Sequence, residues 1–333
     1  MRSCSHTKMG CRRTGSKCDT RAGSNGGGVM RIAIMGAGGI GGCYGGLLAQ
    51  AGFDVTLIAR GAHLESIKEK GLQLVQPEGD FTVDVAATSD PSVVGPVDLV
   101  IFSVKAHQNF IAVPLIKPLV GGDTTVLTIQ NGVESADEIG QEYGAERVLP
   151  GSAYVISNVV SPGVVKQQSP IPRVVFGESN GEQSQRAITV RDAFLKANIM
   201  AELSHDISRV LWSKLLYNSP ANGMASAARL SPRNLIEFPE GTSMFKLAIQ
   251  EVANVGTASG VQFGEDDVQE AMDLIAARPM GARGSMQADL EAGRPLELDA
   301  IVGSVGRIGR KVNVPTPIFD MLYTLLLPHI DGS

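Results

Sequence analysis

Cysteine is scarce in this sequence. Of the four cysteines among 333 residues, Cys4, Cys11 and Cys18 fall within the first 29 residues, and Cys43 alone remains in the rest of the chain. That larger part therefore cannot form an internal disulfide, and a reducing, cytoplasmic location is expected. The three early cysteines are seven residues apart, which matches no usual zinc spacing, so no metal site is predicted.

Long apolar runs and an excess of positive charge are also lacking. No uncharged apolar stretch approaches the roughly 18 residues that a transmembrane helix needs, so no membrane role is expected. The net charge is −5; residues 1–29 contain six basic residues and one acidic residue, which gives +5 and leaves −10 for the remainder. An acidic body argues against nucleic acid as a partner.

Residues 1–29 have almost no large apolar side chain, and they are predicted to be a disordered leader. A secretory signal is not expected, because the segment lacks an apolar core region. Two alternatives stay open. The segment is rich in Arg and Ser, as organellar transit peptides are, or it lies upstream of a start codon at Met30, which is the favoured interpretation.

A glycine-rich turn lies between a predicted strand, residues 30–35, and a predicted helix, residues 42–51. The turn has the pattern G-x-G-x-x-G and comprises Gly36, Ala37, Gly38, Gly39, Ile40 and Gly41. The first glycine permits a tight turn, the second lets backbone approach a pyrophosphate, and the third lets helix and strand pack closely. With a second strand at 54–58, the pattern predicts a Rossmann domain that holds the phosphates at a helix N-terminus.

The end of the second strand indicates which dinucleotide binds. NAD-binding proteins usually have Asp or Glu there, whereas this chain has Ala59-Arg60, and a guanidinium suits a 2′-phosphate. NADPH is therefore the predicted cofactor. The alternative is that Arg60 is an ordinary solvent-exposed arginine.

Two further apolar runs, residues 97–104 and 124–129, are typical of strands buried on both faces of a parallel sheet. Lys105 follows the first run, and Gln130, Asn131 and Gly132 follow the second. In open α/β sheets the ligand crevice lies beyond the carboxyl ends of the strands, so Lys105 and Asn131 are candidate site residues. Asn-Gly is also a common turn pair, which is the plainer explanation.

The second half of the chain has helical periodicity. Lys214, Asn218 and Asn222 lie at i, i+4 and i+8, so a helix would place them on one stripe. An ammonium and two amides would be costly inside a dry core, and the stripe should therefore border a polar cleft. An amphipathic helix with its polar face in water is the alternative.

The length suits two domains. We expect an α/β protein with an N-terminal Rossmann-type doubly wound sheet, an NADP-binding domain over residues 30–203, followed by an all-helical substrate and catalytic domain over residues 204–331. Neither composition nor pattern fixes the oligomeric state, and a homodimer stays open.

Over nearly all of residues 30–331 the sequence resembles the ketopantoate reductase (2-dehydropantoate 2-reductase) family. The glycine-rich motif is the first matching piece, and the order and spacing of all pieces together are specific. The others are residues 57–60 (Leu-Ile-Ala-Arg), 103–106 (Ser-Val-Lys-Ala), 130–133 (Gln-Asn-Gly-Val), 211–214 (Leu-Trp-Ser-Lys) with Asn218 and Asn222, 285–295 (Ser-Met-Gln-Ala-Asp-Leu-Glu-Ala-Gly-Arg-Pro) and 296–299 (Leu-Glu-Leu-Asp).

The resemblance implies NADPH-dependent reduction of ketopantoate to pantoate, a step of pantothenate and coenzyme A biosynthesis, in a cleft between the two domains. Lys214 resembles the family's general acid, and Asn131, Asn218 and Asn222 resemble its amides around the substrate. Ser285 is similar to the serine that holds the substrate carboxylate.

The resemblance also implies contacts with the cofactor. Glu297 is similar to the catalytic glutamate near the nicotinamide, and Arg60, Lys105 and Asn131 would bind NADPH together with the glycine-rich motif. Glu297 follows a Gly-Arg-Pro break and is predicted to start a helix, whose dipole stabilises a carboxylate. A glutamate with no function beyond starting that helix is the alternative.

Residues 299–303 depart from the family, since many relatives have Asp-Tyr-Leu-Asn-Gly where this chain has Asp-Ala-Ile-Val-Gly. The difference concerns the identity of the small 2-oxo acid substrate. Two other classes stay open: a reductase or dehydrogenase of another 2-oxo or 3-hydroxy acid, and a non-catalytic NADPH sensor. A sensor would not need an acid at Lys214.

Overall fold

A computed structural model describes residues 29–169 and 171–332. The predicted leader, apart from Val29, and its cysteines lie outside these residues. Twelve strands are present in the described ranges: β1 Arg31–Met35, β2 Asp54–Ile58, β3 Leu72–Val75, β4 Phe81–Val83, β5 Ala86–Thr88, β6 Leu99–Phe102, β7 Thr125–Thr128, β8 Val148–Tyr154, β9 Ser157–Ser161, β10 Val164–Gln167, β11 Arg173–Phe176 and β12 Met200–Leu203.

The described residues also form twelve α-helices, together with short 3₁₀ turns and one π-helix at Asp299–Gly303. The α-helices are α1 Gly39–Gln50, α2 Gly61–Lys70, α3 Asn109–Leu115, α4 Ser135–Tyr143, α5 Gln185–Lys196, α6 Ile207–Ala228, α7 Pro232–Leu235, α8 Pro239–Ala258, α9 Glu265–Ala276, α10 Ser285–Glu291, α11 Ser304–Lys311 and α12 Pro317–Leu326.

The main sheet has eight strands in the order β12-β11-β8-β7-β6-β1-β2-β5. All neighbouring pairs are parallel except β8 and β11, which are antiparallel. Strand residues alternate between the two faces: Ile32 and Ile34 belong to one buried cluster with α1 and α5, whereas Ala33 and Met35 belong to another with α3 and α4. Burial on both faces explains why β6 is a continuous apolar run and why β7 and all of β1 after Arg31 are buried.

A smaller sheet of four strands, in the order β4-β3-β10-β9, covers helix α1 on the side away from the main sheet. Glycine dominates α1 because both sheets approach it closely. A Cβ at Gly45 would lie 2.7 Å from Leu57 of the main sheet, and one at Gly46 would lie 2.4 Å from Leu74 of the small sheet.

From residue 207 onward the described chain is helical and has its own buried cluster around α6. Helix α6 has 22 residues, which corresponds to a length of about 33 Å, and it packs against α8, α9, α10 and α12. Its N-terminal half also contacts β8, so the helical part joins the sheet beside the carboxyl ends of β6 and β7. This architecture confirms the predicted fold class. No helix in the described ranges combines the length and apolar composition needed to cross a bilayer.

Candidate active site

Helix α6 carries Lys214, Asn218 and Asn222 within one continuous helix, as the four-residue spacing requires. Asn222 is buried, and its Nδ2 donates to the side-chain and backbone oxygens of Asn218, both at 2.9 Å. Its Oδ1 accepts a hydrogen bond of 3.0 Å from the backbone N–H of Met286. Asn222 therefore ties the middle of α6 to the first turn of α10, beside Ser285.

Lys214 lies where α6 meets β8. Its Nζ donates to the carbonyl oxygen of Ala153 at 2.8 Å and lies 5.2 Å from the centroid of the Tyr154 ring. The lysine is partly buried, and burial lowers its pKa from 10.5 to about 8, against the opposing charge of Glu297. An ammonium with this pKa can transfer a proton near neutral pH.

Glu297 directly precedes Leu298, the first helical residue before the π-helix, and it is 4% exposed. Its carboxylate accepts from Lys105 Nζ at 2.8 Å and from the backbone N–H of Ala106 at 3.3 Å. Lys105 also donates to Asp289 at 3.2 Å, and Arg294 binds the other oxygen of Asp289 at 2.8 Å. These contacts form an ion bridge between the end of β6 and the helical part.

The charge balance of this bridge sets the protonation of Lys105. Burial alone would lower the pKa of its ammonium, but the charges and hydrogen bonds of Glu297 and Asp289 outweigh burial and raise the pKa. No function is predicted for Asp289 from the sequence. The available signal is its position within segment 285–295, where α10 buries it to 7% exposure.

Asn131 follows β7 at the same sheet edge as Lys105. Its side-chain amide has no hydrogen-bond partner within the described part of the chain, whereas the preceding Gln130 donates to the Val104 carbonyl at 2.8 Å. Asn131 lines a cavity of about 590 Å³ together with Glu297 and Ala300. Lys214 lies outside this cavity.

The glycine-rich turn leaves room for a ligand at one position and none at its two ends. Gly36 has φ +97°, and a Cβ there would lie 2.6 Å from the Val104 side chain. A Cβ at Gly41 would lie 2.2 Å from the Gly36 carbonyl oxygen, whereas one at Gly38 would meet no described atom within 4 Å. Ala37 is buried, and Gly39 and Ile40 form the first turn of α1. The open backbone at the α1 N-terminus is suited to a phosphate.

Two other predicted residues stand apart from these groups. Arg60 is exposed at the junction of β2 and α2, and Ser285 is exposed as the first residue of α10. The structure thus brings Lys105 together with Glu297, and Asn218 together with Asn222. It gives Arg60 and Ser285 no side-chain hydrogen bond within the described residues.

The sequence also gives no indication of the contacts that fix the π-helix beside Asn131. Gly132, at φ +93°, packs against Ala300, and Tyr323 donates to Asp299 at 2.8 Å. The Nε and Nη2 atoms of Arg307 donate to the carboxylate of Glu134, which lies 173 residues earlier in the sequence. These contacts hold the helical part against the loop that follows β7.

Two family models match most of the chain. The model described as "Ketopantoate reductase PanE/ApbA" matches residues 32–181, and the one described as "Ketopantoate reductase PanE/ApbA C terminal" matches residues 206–329. A 2-dehydropantoate 2-reductase from Mesorhizobium japonicum is 33% identical over 89% of this chain and 97% of its own length.

Solved structures agree in fold over nearly their full lengths. The crystal structure of 2-dehydropantoate 2-reductase from Geobacter metallireducens GS-15 has a TM-score of 0.84 and 31% identity, over 90% of this chain and 99% of that one. A ternary structure of D-mandelate dehydrogenase with NADH and anilino(oxo)acetate has a TM-score of 0.82 and 27% identity, over 90% of this chain and 98% of that one.

Proposed function

The chain belongs to the ketopantoate reductase family, and from that premise we propose that it reduces 2-dehydropantoate to pantoate with NADPH. Family membership makes it an oxidoreductase that acts on a CH–OH group and uses a small 2-oxo acid. The product would enter pantothenate and coenzyme A biosynthesis. The observation that carries the proposal is the Lys214 ammonium, held at the junction of sheet and helices with a pKa of about 8.

The residues present fit a nicotinamide dinucleotide. The open space over Gly38 and the free N-terminus of α1 would receive the pyrophosphate, because backbone N–H groups there have no intrahelical partner. Related structures contain NADH, which supports a nicotinamide cofactor in this chain as well. When bound, that cofactor supplies a hydride to the keto carbon.

Arg60 supports the choice of NADPH over NADH. Its exposed guanidinium follows β2, where a carboxylate would select the ribose hydroxyls of NAD. It has no ion-pair partner within residues 29–169 and 171–332, so its donors remain available for a 2′-phosphate. Bidentate guanidinium–phosphate pairs are among the strongest polar contacts in proteins.

Lys214 would protonate the alkoxide that forms when the keto carbon is reduced. Its Nζ has three N–H donors, of which one is hydrogen-bonded to the Ala153 carbonyl oxygen, so two remain for the substrate oxygen. Glu297 raises the pKa of Lys214 and keeps more of it in the acid form at neutral pH. Positioned proton transfer of this kind typically contributes about 10²- to 10⁴-fold in rate.

The neutral residues would orient the substrate. Asn131 has a side-chain amide at the sheet edge that makes no hydrogen bond within the described residues. Asn218 has an amide one helical turn after Lys214, and Ser285 has an exposed hydroxyl. Asn222 would contribute indirectly, because its amide is already bonded to Asn218 and to Met286. Neutral hydrogen bonds fix geometry without adding charge to the site.

Reduction of an aromatic 2-oxo acid is a second candidate. Ala300 lies beside Glu297 in the lining of the 590 Å³ cavity, at a position where many members of the family that the sequence resembles have a tyrosine. The smaller side chain would leave space beside Glu297 for the aromatic part of a substrate whose keto group lies at Lys214, outside the cavity. The D-mandelate dehydrogenase among the related structures supports this candidate.

The test is NADPH oxidation, followed by absorbance, on addition of ketopantoate, pyruvate, 2-oxoisovalerate or phenylglyoxylate. We expect a strong preference for ketopantoate. Equal rates with all four acids would remove the named substrate, and a preference for phenylglyoxylate would favour the second candidate. Omitting the protein and replacing NADPH by NADH serve as controls.

A further inference from the structure

We infer that His63 positions the glycine-rich turn for the pyrophosphate of the dinucleotide. The inference rests on the cofactor part of the proposed function, and it concerns a residue outside the motifs used above. His63 lies in the first turn of α2, three residues after Arg60, and its side chain is partly buried.

Both ring nitrogens of His63 are hydrogen-bonded to the backbone. Nε2 lies 2.9 Å from the carbonyl oxygen of Ala37, the second residue of the glycine-rich turn, and Nδ1 lies 3.0 Å from the backbone nitrogen of Gly163. A backbone N–H can only donate and a carbonyl oxygen can only accept, so Nδ1 is the acceptor and Nε2 carries the proton. Burial lowers the pKa of the His63 imidazole from its ordinary 6.5, which favours this neutral form near pH 7.

The bond to Ala37 fixes one peptide group of the turn. The carbonyl and the N–H of a planar trans peptide point in opposite directions, so holding the Ala37 carbonyl toward His63 turns the N–H of Gly38 away from it. The N–H of Ala37 is held as well, by the carbonyl oxygen of Ile58 at 3.1 Å. The backbone that leads into α1 therefore has one defined orientation before any phosphate binds.

The Gly38 N–H is left available by this arrangement. It has no acceptor in the part of the chain that the structure describes, and no described atom lies within 4 Å of a Cβ built at Gly38. A turn that is already ordered binds a ligand more tightly than one that must be ordered during binding. His63 would therefore raise the affinity for the cofactor without touching it.

The bond to Gly163 anchors the imidazole in the small sheet. Gly163 lies between β9 and β10, and the same turn receives a second bond from α2, from the Ser66 hydroxyl to the carbonyl oxygen of Pro162 at 3.0 Å. Helix α2 is thus attached to the β9–β10 turn through two side chains. Of these, only His63 also binds the glycine-rich turn.

His63 could instead serve only to hold α2, whose N-cap residue is Arg60. The two roles predict different effects on the two cofactors. Movement of α2 would displace the guanidinium proposed for the 2′-phosphate, which NADPH alone carries. A change in the glycine-rich turn would affect the pyrophosphate, which NADPH and NADH share.

The experiment compares His63→Leu with Ser66→Ala, which removes the other bond between α2 and the β9–β10 turn and leaves the glycine-rich turn unchanged. Kd values for NADPH and NADH would be measured by fluorescence titration. For His63→Leu we expect both to rise about tenfold, the order of one lost hydrogen bond, and for Ser66→Ala both should stay within about twofold of the parent. Equal losses in the two variants, or a loss for NADPH alone, would overturn the inference.

Two further measurements decide the question even if His63→Leu does not fold. His63→Gln keeps a donor and an acceptor on one side chain, and its Kd values should return to within about threefold of the parent. In the parent without cofactor, ¹⁵N NMR of the histidine rings should show the His63 proton on Nε2. A proton on Nδ1 would be incompatible with the bond to Gly163 and would also overturn the inference.

The same titrations separate this inference from the proposed function. A parent that binds NADPH but reduces none of the acids would refute the proposed function, and the Kd values of the variants would still decide on His63. A parent that binds neither cofactor would refute both. If the parent is active and His63→Leu binds both cofactors as Ser66→Ala does, the inference fails and the proposed function stands.

Discussion

Replacing Lys214 with methionine should inactivate the protein and at the same time stabilise it. Methionine has nearly the same length and volume as lysine but no charge, and turnover should fall at least about 100-fold because the proton donor is lost. Stability should rise because burial opposes the lysine charge. Its pKa is about 8 in the folded protein against an ordinary 10.5.

The gain in the free energy of unfolding follows from the difference of 2.5 between the two pKa values of Lys214, and each pKa unit corresponds to about 1.4 kcal/mol. The product sets an upper limit of about 3.5 kcal/mol. Methionine leaves the Ala153 carbonyl oxygen without its 2.8 Å donor, which costs roughly 1 kcal/mol. Because the lysine is only partly buried, we expect a net gain of about 1–2 kcal/mol at pH 7.

The pH dependence has a definite sign. A lysine whose pKa is lower in the folded state carries a penalty that is complete below pH 8 and disappears as the pH approaches 10.5. The gain from Lys214→Met should therefore be present at pH 7 and nearly absent at pH 9.5. Urea unfolding of parent and variant at both pH values measures it, without cofactor. A variant that is less stable than the parent at pH 7, or that retains more than a tenth of the parent turnover, would refute the role of Lys214.

Two other predictions concern the cofactor and the pH profile. Arg60→Ala should weaken NADPH binding by about 10- to 100-fold and change NADH binding by less than about twofold, measured as Kd by fluorescence titration; equal losses for both cofactors would rule out a 2′-phosphate contact. In the parent, kcat/KM should fall about tenfold between pH 7 and 9, because the ammonium fraction of Lys214 drops from roughly 10/11 to 1/11. Glu297→Gln should move this decline to lower pH, because Glu297 raises the pKa of Lys214. A profile of kcat/KM that is flat to pH 9.5 would contradict the assignment of Lys214 as the acid.

Features set by neighbouring residues could be predicted from the sequence. The glycine-rich turn, the strands beside it and the polar stripe of α6 all depend on spacings of a few residues, and the α/β fold class follows from them. The predicted run at 97–104 is longer than β6, which comprises only Leu99–Phe102. Asp98, just before β6, accepts a hydrogen bond of 2.7 Å at its carboxylate from the backbone N–H of Arg31.

Contacts between distant residues could not be predicted in this way. The bridge from Lys105 to Asp289 joins residues 184 apart in sequence, and the bond from Lys214 to Ala153 spans 61. The pairing of β3 with β10 also depends on how the whole chain packs, so the small sheet is not evident from local pattern. Asn222 illustrates the limit at a single residue, since spacing places it on the stripe but does not reveal its bond to Met286.

Because one rigid helix sets the distances among Lys214, Asn218 and Asn222, the chain should tolerate changes of length very unevenly. An inserted residue rotates everything after it by 100° and shifts it by 1.5 Å, so one insertion between Lys214 and Asn218 would turn both amides away from the lysine. The segment from 76 to 80, which joins β3 to β4 and is exposed from residue 77 onward, has no such constraint. Natural and engineered insertions should therefore accumulate in segments of that kind and be absent between residues 214 and 222.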